Sequence, residues 1–379
     1  MNKEFESFED SVGISEDVKV SENSLRFQNV VRRFVPASRN ALNAFFKRFA
    51  AAISWEQDEE ELQGCNPPTI GDWIIDEEVT CENKNLLVDG DVRVNSGGSL
   101  NLISTTLTIN SDSKGEHGLW VYGDYVSTNS DIQASNKNNY CVFEQSSTVN
   151  VAGGSFSGCG FHHSNIDQRG TIVKSYSAIF SGTEFNDNYY GLWIENTEEA
   201  LITDCSFKEN ENAGMVLHYA NNCVLEDLYF KNNYYGLNIA YSEYNEVNDL
   251  VIESEISTQD AHTGLIITAS FHNVVDDVTV RGDHGWGLGF NQGGFNLVRG
   301  LIVEDWRHNA VNYNWNHAKK QSLQYSVLKR SFGSPDSYTI SCTDQGSLEV
   351  VNVEYDSEFH DESCGFYDGG GTDKAVSAT

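Results

Sequence analysis

The chain has 379 residues, with 24 Lys plus Arg against 56 Asp plus Glu and a formal net charge of −32. Such a charge repels the phosphate backbone on which nucleic-acid affinity rests, so nucleic acid is excluded as a partner; a solvated acidic surface is the plain reading of the acids. No run of about 18 apolar residues occurs, which excludes a membrane-spanning helix. The 4 prolines and 32 glycines leave the turning of the chain to Gly and Asn, as in a protein of many short strands.

Residues 1–24 are acidic without apolar periodicity and read as a disordered tail. The start, MNKEFESFEDSVG, lacks the basic region and apolar run of a secretory signal. Residues 25–62 form the next segment. From Ser24 to Trp55 there is no acid, while Arg26, Arg32, Arg33, Arg39, Lys47 and Arg48 are basic. Ser38 is placed to cap a helix whose Leu42, Phe45, Phe46, Phe49 and Ile53 recur at three- and four-residue steps. This short amphipathic helix is expected to cover the open end of a repeat domain, with an anionic membrane surface as the alternative. An acidic linker, Glu56 to Glu61, follows it. The tetrapeptide Leu62-Gln63-Gly64-Cys65 has the form of a lipobox but follows EQDEEE instead of an apolar stretch, and is read as chance.

Residues 63–368 then alternate short apolar stretches with Asn, Asp, Gly and Ser. Repeats begin GLWIEN at 191, GMVLHY at 214, GLNIAY at 236, GLIITA at 264, GLGFNQ at 287, AVNYNW at 310, TISCTD at 339 and GFYDGG at 365, with spacings from 22 to 29 residues. The second residue of each is apolar: Leu192, Met215, Leu237, Leu265, Leu288, Val311, Ile340 and Phe366. Together with the column two residues on, these face inward from a strand. A second strand follows in each repeat, with Phe207, Phe230, Ile252, Val280 and Val303 in register. Asp204, Asp227, Asp249 and Asp277 make a solvent-facing acidic column there, and Asn245, Asn273 and Asn296 a polar column suited to an internal amide ladder. Leucine-rich repeats share the period, but the mixed Leu, Ile, Val and Phe filling and the absence of a helical stretch favour an all-β solenoid of ten or so rungs. Residues 369–379 read as a flexible tail.

The motif G-L-x-I, an Asn-rich turn and a second short strand resemble the right-handed parallel β-helix repeat of pectate-lyase-like and NosD-like proteins. The resemblance covers about three quarters of the chain and implies architecture more than activity, because that superfamily holds lyases, hydrolases, epimerases, tailspikes and surface proteins. It implies an extracellular or cell-surface location and a sugar groove across the outward residues of one sheet.

Two clusters have the mixture of aromatic rings and polar groups that stacks and hydrogen-bonds sugars. The first holds Trp193, Glu195, His218, Tyr219 and Tyr241, beside Tyr189, Tyr190, Tyr234 and Tyr235. The second holds Asp283, His284, Trp286, Asn291, Trp306, Arg307, His308, Asn312, Asn314, Trp315 and His317. Aromatics at turns would equally serve to cover the solenoid's flank. The expected partner is a polysaccharide or glycan, bound without catalysis or as part of a structural rod. The alternatives are a polysaccharide lyase or epimerase, with Arg307, His308 and Asp283 as cation and base, and a homotrimeric tailspike or fibre subunit. Asp276-Asp277 and Asp283-His284-Gly285-Trp286 approach a polygalacturonase pattern but lie too close together for successive rungs, so no catalytic residue is assigned. No cofactor is predicted and no zinc or phosphate-loop motif occurs, although acidic turns are compatible with calcium. The 8 cysteines fall as near neighbours, Cys65 with Cys81, Cys141 with Cys159, Cys205 with Cys223 and Cys342 with Cys364. They suit disulfides or, at the core positions Cys141, Cys205, Cys223 and Cys342, buried thiols.

Overall fold

The computed structural model describes residues 63–136, 139–255, 263–314, 321–329, 340–343, 347–355 and 365–367. These form a right-handed parallel β-solenoid of about 11 turns. Both tails and the predicted helix lie outside the described residues. Each strand pairs in parallel with its equivalent one turn away, so every rung closes the hydrogen-bonding edge of its neighbour.

A rung carries three strands, where the sequence pattern implied two. The turn from residue 190 shows them as Tyr190–Glu195, Glu199–Thr203 and Ser206–Lys208, one in each of three sheets. The stretch read as one second strand bends at its acidic column. Asp204, Asp227, Asp249 and Asp277 all have φ between 53 and 55°. Asp tolerates this left-handed conformation because its short side chain bonds locally, and the bend sends the chain from the second sheet into the third. The side chains point outward, as the pattern implied, with Asp249 half-buried and the other three exposed.

The inward columns hold. Leu192, Met215, Leu237, Leu265, Leu288, Val311 and Ile340 are paired in sequence along the first sheet. Phe207, Phe230, Ile252, Val280 and Val303 are paired along the third. All of these are buried. The last repeat differs. Phe366 pairs with Leu348 in the second sheet instead of continuing the first-sheet column from Ile340.

Two amide ladders seal the corners. Asn245 Nδ2 donates to Asn273 Oδ1 at 2.8 Å, Asn273 to Asn296 at 2.8 Å and Asn296 to Gln321 Oε1 at 3.0 Å. A second ladder, not singled out by the repeat alignment, runs through Asn188, Asn210 and Asn233. Each amide also bonds backbone groups that the turns leave without strand partners, so these buried polar columns are satisfied.

Cys65 is bonded to Cys81, which ties the first described strand residues to the second sheet and removes Cys65 from any lipid linkage. Cys141, Cys159, Cys205 and Cys223 are free and buried. Burial pushes the thiols of Cys205 and Cys223 up to about 12, so they act as small apolar filling. The side chains of Cys342 and Cys364 lie outside the described residues.

Candidate functional site

The outer face of the first sheet brings residues of both clusters together. Three outward columns run along it. The middle one is Trp193, Val216, Asn238, Ile266, Gly289 and Asn312 on successive rungs. Beside it run Glu195, His218, Ala240, Thr268 and Asn291. On the other side run Tyr190, Ala213, Tyr235, Thr263, Trp286 and Asn309. At a rung spacing of about 4.8 Å, Trp193 and Asn312 stand about 24 Å apart on one continuous surface.

At the N-terminal half of this face the chain between strands Ser155–Ser157 and Gly170–Val173 makes a strap with a 3-10 turn, Ile166–Gln168. Ile166 and Trp193 both pack against two buried groups, Tyr140, Val142 and Ile172, and Tyr189, Tyr190, Ala213 and Val216. The strap explains why outward residues such as Val142 and Ile172 are fully buried. Trp193 stays half-buried at its edge, 4.9 Å from the Tyr190 ring and 5.2 Å from His218. Its indole Nε1 has no hydrogen-bond partner among the described residues, and neither has Asn238 Oδ1 two rungs on.

His218 Nδ1 lies 3.4 Å from Glu195 Oε1. This hydrogen bond, followed by the charges of His218 and Lys174, holds the Glu195 carboxyl below the usual carboxylate range. Past them the chain turns at Tyr219 and Tyr241, with φ of 50 and 52°. The left-handed turns push both rings into solvent, where they stack on each other at 5.1 Å. Lys174 is one rung before Glu195 and meets Asp167 of the strap at 2.5 Å and Glu144 at 4.0 Å. No sequence signal singled out Lys174, Asp167 or Glu144, because the strap that unites them interrupts the repeat.

The second cluster divides. Trp286 and Asn291 are half-buried on the face and Asn312 is 9% exposed there. Trp306 is a correction: its ring is wholly buried among core residues and is no part of any surface. His308 is exposed. For Asp283, His284, Arg307 and Asn314 the backbone alone is described, and Trp315 and His317 lie outside the described residues, so the lyase set of Arg307, His308 and Asp283 has no described geometry.

Among the described residues no three His, Cys, Asp or Glu side chains come close enough to share a metal ion. No helix among them is long and apolar enough to cross a membrane.

No curated protein sequence matches the chain. Among solved structures, the periplasmic alginate epimerase AlgG superposes with a TM-score of 0.58 at 14% identity, over 74% of this chain and 76% of that one. A singly substituted mutant of the same epimerase superposes with a TM-score of 0.60 at 13% identity, over 74% and 77%. These likenesses show the fold. A Siphovirus 9NA tailspike receptor-binding domain aligns with a TM-score of only 0.40 at 10% identity, over 81% of this chain and 74% of that one, too loose to bear on assembly. Residues 123–326, more than half of the chain, match the NosD family, described as periplasmic copper-binding protein, and the chain belongs to that family.

Proposed function

We propose that this protein recognises a glycan along the outer face of its first sheet, without a catalytic step assigned to it. The observation that carries the reading is the convergence of Trp193, Glu195 and His218 with Trp286, Asn291 and Asn312 on one surface, although about 90 residues separate the two groups in sequence. The half-buried rings of Trp193 and Trp286 offer stacking faces to a sugar.

The copper named in the family's description does not fit the described residues. Copper sites are built from clustered Cys, His or Met donors. Here His218 is committed to Glu195, and the sulfurs of Cys141 and Cys159, 3.5 Å apart in the core, have no third donor beside them. No step is therefore derived through a metal. A location outside the cytoplasm accords with the Cys65–Cys81 disulfide and with the periplasmic descriptions of the family and of the epimerase.

The test is calorimetric titration against a panel of oligosaccharides, with Trp193→Ala and Trp286→Ala beside the wild type. Loss of a stacked ring should weaken binding by about 1–3 kcal/mol, with far-UV circular dichroism unchanged. A panel without a single binder would refute the reading.

A further inference from the structure

We infer that the ligand of this face is an uncharged glycan, and that uronate polymers are excluded from it by charge; this rests on the glycan reading above. Two features of the face carry the inference.

From Asn238 onward the outward columns hold no charged side chain among the described residues. Ile266, Thr268, Trp286, Gly289, Asn291 and Asn312 offer apolar surface, a hydroxyl, amides and a ring, and nothing that would neutralise a sugar carboxylate. A carboxylate brought there would exchange its hydration for neutral groups alone, at a cost that hydrogen bonds from amides do not offset.

In the N-terminal half the cation of the outward columns, Lys174, is committed to carboxylates. Glu144, Lys174, Glu195 and His218 follow one another on consecutive rungs, acidic and basic residues in alternation. Lys174 already stands between Glu144 and Glu195, and the strap adds Asp167 at 2.5 Å. Side-chain exposures of 20% for Lys174 and 18% for Asp167 show that the pair is shielded from solvent and not a loose surface contact. His218 is turned to Glu195 at 3.4 Å. Arg169, at the end of the strap, donates from Nε to the His163 carbonyl at 2.5 Å, a bond that holds the side chain but leaves its charge in place. Glu144, Asp167 and Glu195 thus outnumber Lys174 and Arg169 by one charge, in a chain whose formal net charge is −32. A polyanion approaching this end meets surplus negative charge both locally and at long range. The fold is shared with an alginate epimerase, but at 13% identity that likeness brings no carboxylate-binding cation with it.

The experiment titrates full-length protein with uncharged oligosaccharides (chito-, gluco- and manno-oligomers, N-acetylated where relevant) and with oligogalacturonate and alginate oligomers of matched length. It is run at about 0.1 and 1 M salt. An uncharged oligomer should bind with an affinity that salt barely changes. Uronate oligomers should bind at least about tenfold more weakly at low salt, the gap narrowing at 1 M as the screening length falls to about 3 Å. Asp167→Asn, which frees Lys174 from its closest carboxylate, should raise uronate binding several-fold. Tighter binding of a uronate than of every uncharged oligomer would overturn the inference while leaving the glycan reading in place. A flat response to Asp167→Asn would overturn the charge argument. Binding of neither class would overturn both.

Discussion

Removing one rung of the amide ladder tests the internal logic of the solenoid most directly. Asn273 is fully buried and its side chain makes four hydrogen bonds. Oδ1 accepts from the Asn245 backbone N–H at 3.1 Å and from Asn245 Nδ2 at 2.8 Å, while Nδ2 donates to the Ser242 carbonyl at 3.0 Å and to Asn296 Oδ1 at 2.8 Å. Asn273→Ala leaves the two Asn245 donors and the Ser242 carbonyl without these partners in the interior. Each such group costs about 1–3 kcal/mol, and a water entering the space would recover part, so a net loss of about 3–5 kcal/mol is expected. Asn273→Leu should do no better, since it fills the space and satisfies none of the three. Guanidinium unfolding followed by far-UV circular dichroism measures the loss, with Asn238→Ala as the outward-facing control expected within about 0.5 kcal/mol. Because rungs interact with their neighbours, hydrogen exchange should show the Asn245 amide losing protection first. A loss below about 1 kcal/mol for Asn273→Ala would mean that strand pairing alone holds the corners, and the ladder argument would fail.

Two further outcomes follow from the first turns and the charged column. Reducing the Cys65–Cys81 bond, which closes a separation of 16 residues, should lower stability by up to about 3 kcal/mol and should open the N-terminal rungs before the rest, as read by hydrogen exchange in reductant. The Glu195 carboxyl is held below its ordinary value of 4.5 chiefly by the His218 hydrogen bond, so its contribution to stability is complete above that pH and is lost as pH falls through the depressed value. Glu195→Gln should therefore flatten the acid limb of a stability curve below about pH 4.5 and leave its shape near neutrality as in the wild type; an unaltered acid limb would remove the His218 bond from the account.

What the sequence disclosed and what it hid have separate physical causes. Inward columns such as Leu237 and Phe230 were legible because a buried strand position admits only apolar residues, and each rung repeats it. The Asn245, Asn273 and Asn296 ladder was legible because an amide can bond its own kind on the next rung. The third strand was not, since Asp204 or Asp227 inside an apolar run looks like an outward strand residue and only its backbone angle makes it a corner. Trp306 misled for a similar reason: beside Arg307 and His308 it looks like a binding aromatic, yet the rung bends there and the ring enters the core. Tyr244, His272 and Phe295, at equivalent left-handed turns, stack on one another at 5.1 Å and cover the flank, the alternative that turn aromatics had always carried. The joining of Trp193 to Trp286 on one face needed the register, which the irregular 28-residue repeat obscured. The strap over that face was invisible because its Asn165–Arg169 segment belongs to no repeat.

The glycines offer a last test that separates groove from scaffold. At Gly191, Gly214, Gly236, Gly264 and Gly287, each at the start of a repeat, an added Cβ would lie 2.4–2.6 Å from a neighbouring backbone oxygen or core side chain. Contacts this short cannot be relieved without moving a rung, so Gly236→Ala, whose Cβ would meet the Gly264 carbonyl oxygen at 2.5 Å and Ile252 at 2.7 Å, should cost about 3 kcal/mol or more. Gly289 is different. It lies in the outward column between Ile266 and Asn312, and its added Cβ would find Ile266 at 3.4 Å and Thr263 at 3.8 Å, ordinary contacts. Packing does not require glycine there, so a larger side chain at this position would rise toward a ligand lying along the column. Gly289→Ala should thus melt within about 1 kcal/mol of the wild type, and Gly289→Leu should weaken oligosaccharide binding at least about tenfold by standing in the ligand's path. Destabilisation by Gly289→Ala as large as that of Gly236→Ala would make Gly289 a packing position, and full-strength binding by a folded Gly289→Leu variant would move the ligand off this part of the face.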